Sequence, residues 1–168
     1  MIKMFFMIKS YWIYGVFFIF KMLLYPYNQA YSGSLGDLTR QKPIEITIEM
    51  HGKIGKHHYF APNELTFSTG KLYKLTIKNL SDSKHYFKSY KFAESIFTRK
   101  VQNVKSNNKI AEIKGIINEV EINPGNEIEW WFVPVKVGLF KDLHCYIKDP
   151  QSKKKHSEMG MVGTIRIK

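Results

Sequence analysis

From residue 44 the chain alternates between apolar and polar side chains: Ile44, Glu45, Ile46, Thr47, Ile48, Glu49, Met50. A strand turns successive side chains to opposite faces, so this stretch predicts a half-buried strand with Ile44, Ile46, Ile48 and Met50 on its inner face. Residues 72–77, 120–122, 128–133, 139–147 and 164–168 carry similar β-branched and aromatic runs. Turn formers separate them at Ala61-Pro62-Asn63, Ser68-Thr69-Gly70, residues 79–83, Asn123-Pro124-Gly125-Asn126 and Gly138. Short, turn-punctuated strands predict an all-β Greek-key sandwich of two mainly antiparallel sheets. One stretch departs from the period of two. Val101, Val104, Ile110, Ile113 and Ile117 fall near helical spacing, which predicts a loop with a short helix in the middle of the fold.

The N-terminus has a different character. Residues 1–32 hold Lys3, Lys9 and Lys21, no acidic residue, and an aromatic-rich apolar run that Lys21 interrupts before a small-residue exit near Ala30 or Ser32. This is the pattern of an export signal, or of a membrane anchor if the segment is retained. The expected organisation is thus 1–32 as signal or anchor, 33–43 as linker and 44–168 as one domain, placed in the periplasm or otherwise outside the cytoplasm. Beyond residue 32 lie 23 of the 26 Lys and Arg and all 14 Asp and Glu, a net charge of +9. That surplus favours acidic partners. Recognition motifs for nucleic acid, Gly-rich phosphate loops, zinc-type Cys pairs and internal repeats are absent from the sequence, so no nucleic-acid partner is expected.

The chemistry gathers near the C-terminus. Cys145 is the sole cysteine, so it closes no disulfide within the chain, although an exported protein meets oxidising conditions. Ten residues later comes His156, followed by Ser157-Glu158-Met159-Gly160-Met161-Val162-Gly163. A thiolate, an imidazole and a thioether on one loop are the ligands that copper prefers.

The strands and this loop together resemble the cupredoxins, the blue copper family of plastocyanin, azurin and amicyanin, over roughly residues 44–168. Phe60-Ala61-Pro62 with Leu65, Phe67 and Gly70, then Leu75-Thr76-Ile77-Lys78-Asn79, is similar to the family's early strands, and His85 follows the Asn-containing turn. His156, three residues, Gly160-Met161, one residue and Gly163 has the plastocyanin-like form; Thr164-Ile165-Arg166-Ile167 matches the terminal strand. The resemblance implies one type 1 copper ion held by His85, Cys145, His156 and an axial Met161 rather than Met159. It also implies a function: a monomer that carries single electrons between redox proteins and is itself no enzyme. The alternatives are a copper carrier or assembly factor without redox cycling, and a copper-free interaction domain.

The chain departs from the family in its loop. Residues 146–155 separate Cys145 from His156, where the family's usual members have a far shorter connection; closure costs little more, about 0.6 kcal/mol per doubling of length, but a less rigid site is the expected result. Lys153-Lys154-Lys155 reads either as a solvated charge run or as a basic ridge that borders the metal and docks an acidic redox partner. The His144-Cys145 pair is similar to that of copper nitrite reductases, where the His serves a second copper completed by another domain or subunit; one domain argues against such catalysis here. In a strand, His144 would face away from the copper side of Cys145. His57 and His58 are expected at the surface, one of Trp130 and Trp131 in the core, and Phe87, Phe92 and Phe97 beneath the first ligand.

Overall fold

The computed structural model describes residues 36–105, 108–115 and 117–168. The signal or anchor read at 1–32 lies outside the described residues, as does the start of the linker. A 3-10 turn, Leu38–Arg40, leads into β1 (Ile44–Gly52). There follow β2 (His58–Ala61), β3 (Glu64–Phe67), β4 (Tyr73–Asn79), β5 (His85–Lys88), a one-turn helix α1 (Tyr90–Ala93), β6 (Ile96–Lys105), β7 (Asn108–Ile113), β8 (Glu119–Ile122), β9 (Glu127–Pro134), β10 (Gly138–His144) and β11 (Val162–Ile167). No helix among the described residues is long and apolar enough to cross a membrane.

The strands form two sheets, in the orders β2-β1-β4-β9-β6-β7 and β3-β11-β10-β5-β8. All pairings are antiparallel except β1 with β4 and β3 with β11. The inner faces meet over an aromatic centre in which Phe67, Phe92, Trp130 and Phe132 touch edge to face or stacked, at centroid distances of 5.1 to 6.3 Å. Such pairs add to the stabilisation from area alone. Trp130 also satisfies its indole N–H, which donates to Thr98 Oγ1 at 3.0 Å. Its neighbour Trp131 faces out, under the cations of Arg99 and Lys100.

In β1 the expected inner face is correct but graded: Ile48 and Met50 are fully buried, Ile46 partly, and Ile44 is exposed where the strand enters the sheet. The expected loop and short helix over 101–117 is instead the β6–β7 hairpin, in which Val101 faces Ile113 across the ladder. Register shifts insert an extra residue into β6 between Thr98 and Lys100 and into β7 opposite Asn103 and Val104. A bulge advances the apolar pattern by three instead of two, which imitates helical spacing. Among the described residues the short helix lies upstream at α1, where Asp142 accepts from the Ser89 hydroxyl and the Lys91 backbone N–H. Phe97, expected beneath the site, is 55% exposed on β6.

Candidate metal centre

The end of the sandwich where β1 and β4 finish and β5 begins carries the site. Asn79, the last residue of β4, is buried and organises the turn that follows. Its Nδ2 donates to the carbonyls of Ser83 and Ile122, and its Oδ1 accepts from both the backbone N–H and the hydroxyl of Ser81. This Asx-type turn delivers His85 to the first position of β5, on the inner face with Phe87. Cys145 follows β10; its N–H donates to the Met161 carbonyl, and its own carbonyl accepts from Ser157.

The long connection between Cys145 and His156 is a folded unit rather than a slack loop, which corrects the expectation of a less rigid site. Lys148 and Lys155 form an antiparallel bridge, and the backbones of Asp149 and Lys153–Lys154 close a turn above it. Inside that turn the Asp149 carboxylate accepts backbone N–H groups from Gln151, Ser152 and, 94 residues away in sequence, Gly55. These bonds hold its carboxyl well below the usual carboxylate range. A 3-10 turn, His156–Met159, follows, with Glu158 accepting from the Lys155 N–H, and Gly160 at φ 108° ends it in a conformation that favours glycine. The structure thus brings three of the expected ligands together. His85 Nδ1 and His156 Nδ1 lie 2.9 Å apart, and Cys145 Sγ is 3.7 Å from the first and 3.6 Å from the second.

The donor set fits a metal ion. A triangle of those sides has its centre about 2 Å from each corner, the length of a metal–imidazole bond and slightly short of a metal–thiolate bond. Cys145, His85 and His156 are all 0% exposed, and hard oxygen ligands are not among them. Met161 is equally buried, and its N–H donates to the His156 carbonyl. Met159 is half-buried and its sulfur instead accepts from the Ser152 hydroxyl. His144 is half-buried with Nδ1 on the Asp142 carbonyl.

Burial sets the protonation of the donors. It pushes the His85 imidazole down to about 3, helped by the neighbouring His156 and His58, and His156 down to about 4, helped by His58 and opposed by Asp149. Burial also pushes the Cys145 thiol up, against the N–H of Tyr86, which donates to Sγ at 3.3 Å, and that of Ile147. Both imidazoles are therefore neutral and ready to donate a lone pair, while a metal ion would have to displace the thiol proton. Because the two folded values lie below the unfolded 6.5, the unfolded chain binds more protons and the metal-free fold weakens as pH drops from about 6.5 towards 3. The unfolding free energy of metal-free protein, measured in urea, is expected to fall by on the order of 3 kcal/mol between pH 7 and pH 4. No loss over that range would contradict two buried neutral imidazoles.

A third imidazole, His58, was expected at the surface and is fully buried, forming with His85 and His156 a cluster whose candidate ligand atoms lie within 4.8 Å of one another. The signal was its place two residues before Phe60: strand alternation sends both to the inner face. His58 is packed on His156 face to face, with centroids 3.9 Å apart and planes 22° apart. Ring nitrogens bind metals in the ring plane, and lone pairs of two near-parallel stacked rings run side by side rather than converging. His58 therefore meets His156 with its face, and the convergent set is Cys145, His85 and His156.

No family model matches the chain, and no curated protein matches it in sequence. Solved structures do. Copper nitrite reductase from Nitrosomonas europaea superposes with a TM-score of 0.54 at 11% identity over 77% of this chain and 51% of its own. The Cu-containing nitrite reductase of Thermus scotoductus gives 0.53 at 11% over 76% and 32%. A laccase from Botrytis aclada gives 0.54 at 12% over 73% and 28%. The fold is cupredoxin-like. The chain spans about half the length of the first of these proteins and about a third or less of the others. They also correct one expectation. All three are enzymes, so a cupredoxin-like fold gives no ground for setting catalysis aside, and the exclusion of an enzyme is withdrawn.

Proposed function

We propose that this chain is a copper-dependent redox protein with a type 1 centre held by His85, Cys145, His156 and Met161, working outside the cytoplasm, where residues 1–32 direct or anchor it. The observation that carries the reading is the buried triangle of two imidazole Nδ1 atoms and one cysteine sulfur. Bound copper would supply a one-electron couple, for which sulfur favours the cuprous and nitrogen the cupric state. The chain's own part is to fix the donors from two strand ends and one internally bonded loop, so that little rearrangement accompanies electron transfer. Met161, buried beside the loop that carries His156, would supply a thioether as the fourth donor. The cluster's burial excludes water, which strengthens every electrostatic contact within it. The chain passes single electrons, on its own or as the electron-transfer part of a larger copper enzyme.

Titration of purified protein with copper tests this. One equivalent with an intense blue thiolate band and reversible reduction is the expected result. Tight cuprous binding without colour would point to copper handling, and no stoichiometric copper to an interaction domain.

The exposed Lys153, Lys154 and Lys155 stand on the loop that carries His156. In this reading they form the docking edge for an acidic redox partner. Changing all three to glutamate is expected to slow electron transfer from an acidic donor about tenfold or more and to invert its salt dependence. An unchanged rate at low salt would remove the docking role.

A further inference from the structure

Metal-bound histidines are ordinarily held in orientation by a hydrogen bond from the ring nitrogen that does not bind the metal. His156 lacks that device. Its Nδ1 faces His85 and Cys145, and its Nε2 has no hydrogen-bond partner among the described residues. What lies against the ring is His58, stacked on its face at 3.9 Å. His58 is in turn boxed in. Its Nε2 stands 3.5 Å from the buried Asp149 carboxylate, an electrostatic contact longer than a hydrogen bond. On its other side is Gly52, at φ 148°, where an added Cβ would collide with His58 Nδ1. Both ring nitrogens of His58 lack a hydrogen-bond partner, so what it offers the site is a flat face in a fixed place.

We propose that His58 is a positioning residue for the metal centre: its stacked ring sets the plane of His156 and so aims Nδ1 at the point shared with Cys145 and His85, in place of the missing hydrogen bond. The inference rests on the copper reading above. It also explains two sequence features that the ligand set leaves unused. Asp149 belongs to the loop that carries His156, and by sitting beside His58 it fixes the positioning ring and the ligand loop to each other. Gly52 provides the room.

The test compares His58→Phe, which keeps a flat ring without nitrogens, with His58→Leu, which fills similar space without a flat face. Copper affinity is measured by chelator competition, the blue band and copper hyperfine splitting by absorbance and electron paramagnetic resonance, and folding by thermal unfolding of the metal-free proteins. His58→Leu is expected to bind copper roughly 10- to 100-fold more weakly, with an altered hyperfine splitting, and His58→Phe to recover most of both. If His58→Leu does not fold, Gly52→Ala displaces the same ring from outside and is expected to give the same loss. Parent-like affinity and hyperfine splitting in His58→Leu, or no recovery in His58→Phe, would overturn the positioning role while leaving the copper site standing. A parent protein that binds copper without the blue band would remove both readings together.

Discussion

Replacing Cys145 by serine is expected to abolish the blue absorption of the copper-loaded protein and to weaken copper binding by roughly a hundredfold or more, since it removes a ligand outright where loss of a supporting residue alone costs 10- to 100-fold. The colour requires charge transfer from a thiolate, and Cys145 is the sole cysteine in the chain. Serine is close in shape, and the Tyr86 N–H that meets Sγ at 3.3 Å would find an oxygen acceptor instead. The variant should therefore fold, so that the loss can be read as chemistry. Visible absorbance and copper content of the two proteins, measured side by side, provide the check. A serine variant that kept the band would place the colour, and with it the centre, elsewhere.

The second large effect is expected at a residue that binds no metal. Asp149→Ala would leave three backbone N–H groups, of Gly55, Gln151 and Ser152, without their common acceptor, and would leave His58 without its anionic neighbour. A hydrogen bond to a charged group contributes about 1.5–3 kcal/mol, and water reaches the exposed donor residues once the carboxylate is gone, so a destabilisation of about 2–3 kcal/mol is expected, a large share of a typical domain's 5–15 kcal/mol. Asp149→Asn keeps an acceptor oxygen and should lose less. Urea unfolding of the metal-free variants measures this directly. A loss under about 1 kcal/mol for the alanine variant would mean that the turn stands without its carboxylate.

The strands were legible where one face is buried throughout. β4 and β9 follow from alternation and from their β-branched and aromatic residues. The β6–β7 hairpin was not, because bulges shift the register and turn a strand pattern into apparent helical spacing. At the site, Cys145, His156 and Met161 could be read as a group because they share one stretch of chain, and His85 through its distance from Asn79. His58 and Asp149 could not. Their roles arise from the fold bringing β2 and the ligand loop together across 91 positions; alternation with Phe60 signals that His58 is buried, but nothing local to either residue signals what it packs against. The rigidity of the loop was hidden for the same cause: length was visible, whereas the hydrogen bond from Gly55 to Asp149 was not.

The closure of the centre bears on how metal would get in. With His58, His85, Cys145, His156 and Met161 all sealed from solvent, an ion would reach the donors only during a local opening of the structure around them. Capture would then run at the frequency of that local opening rather than at the rate of collision. An ion already inside would stay for as long as the structure remains shut, so its residence would owe as much to the door as to the bonds.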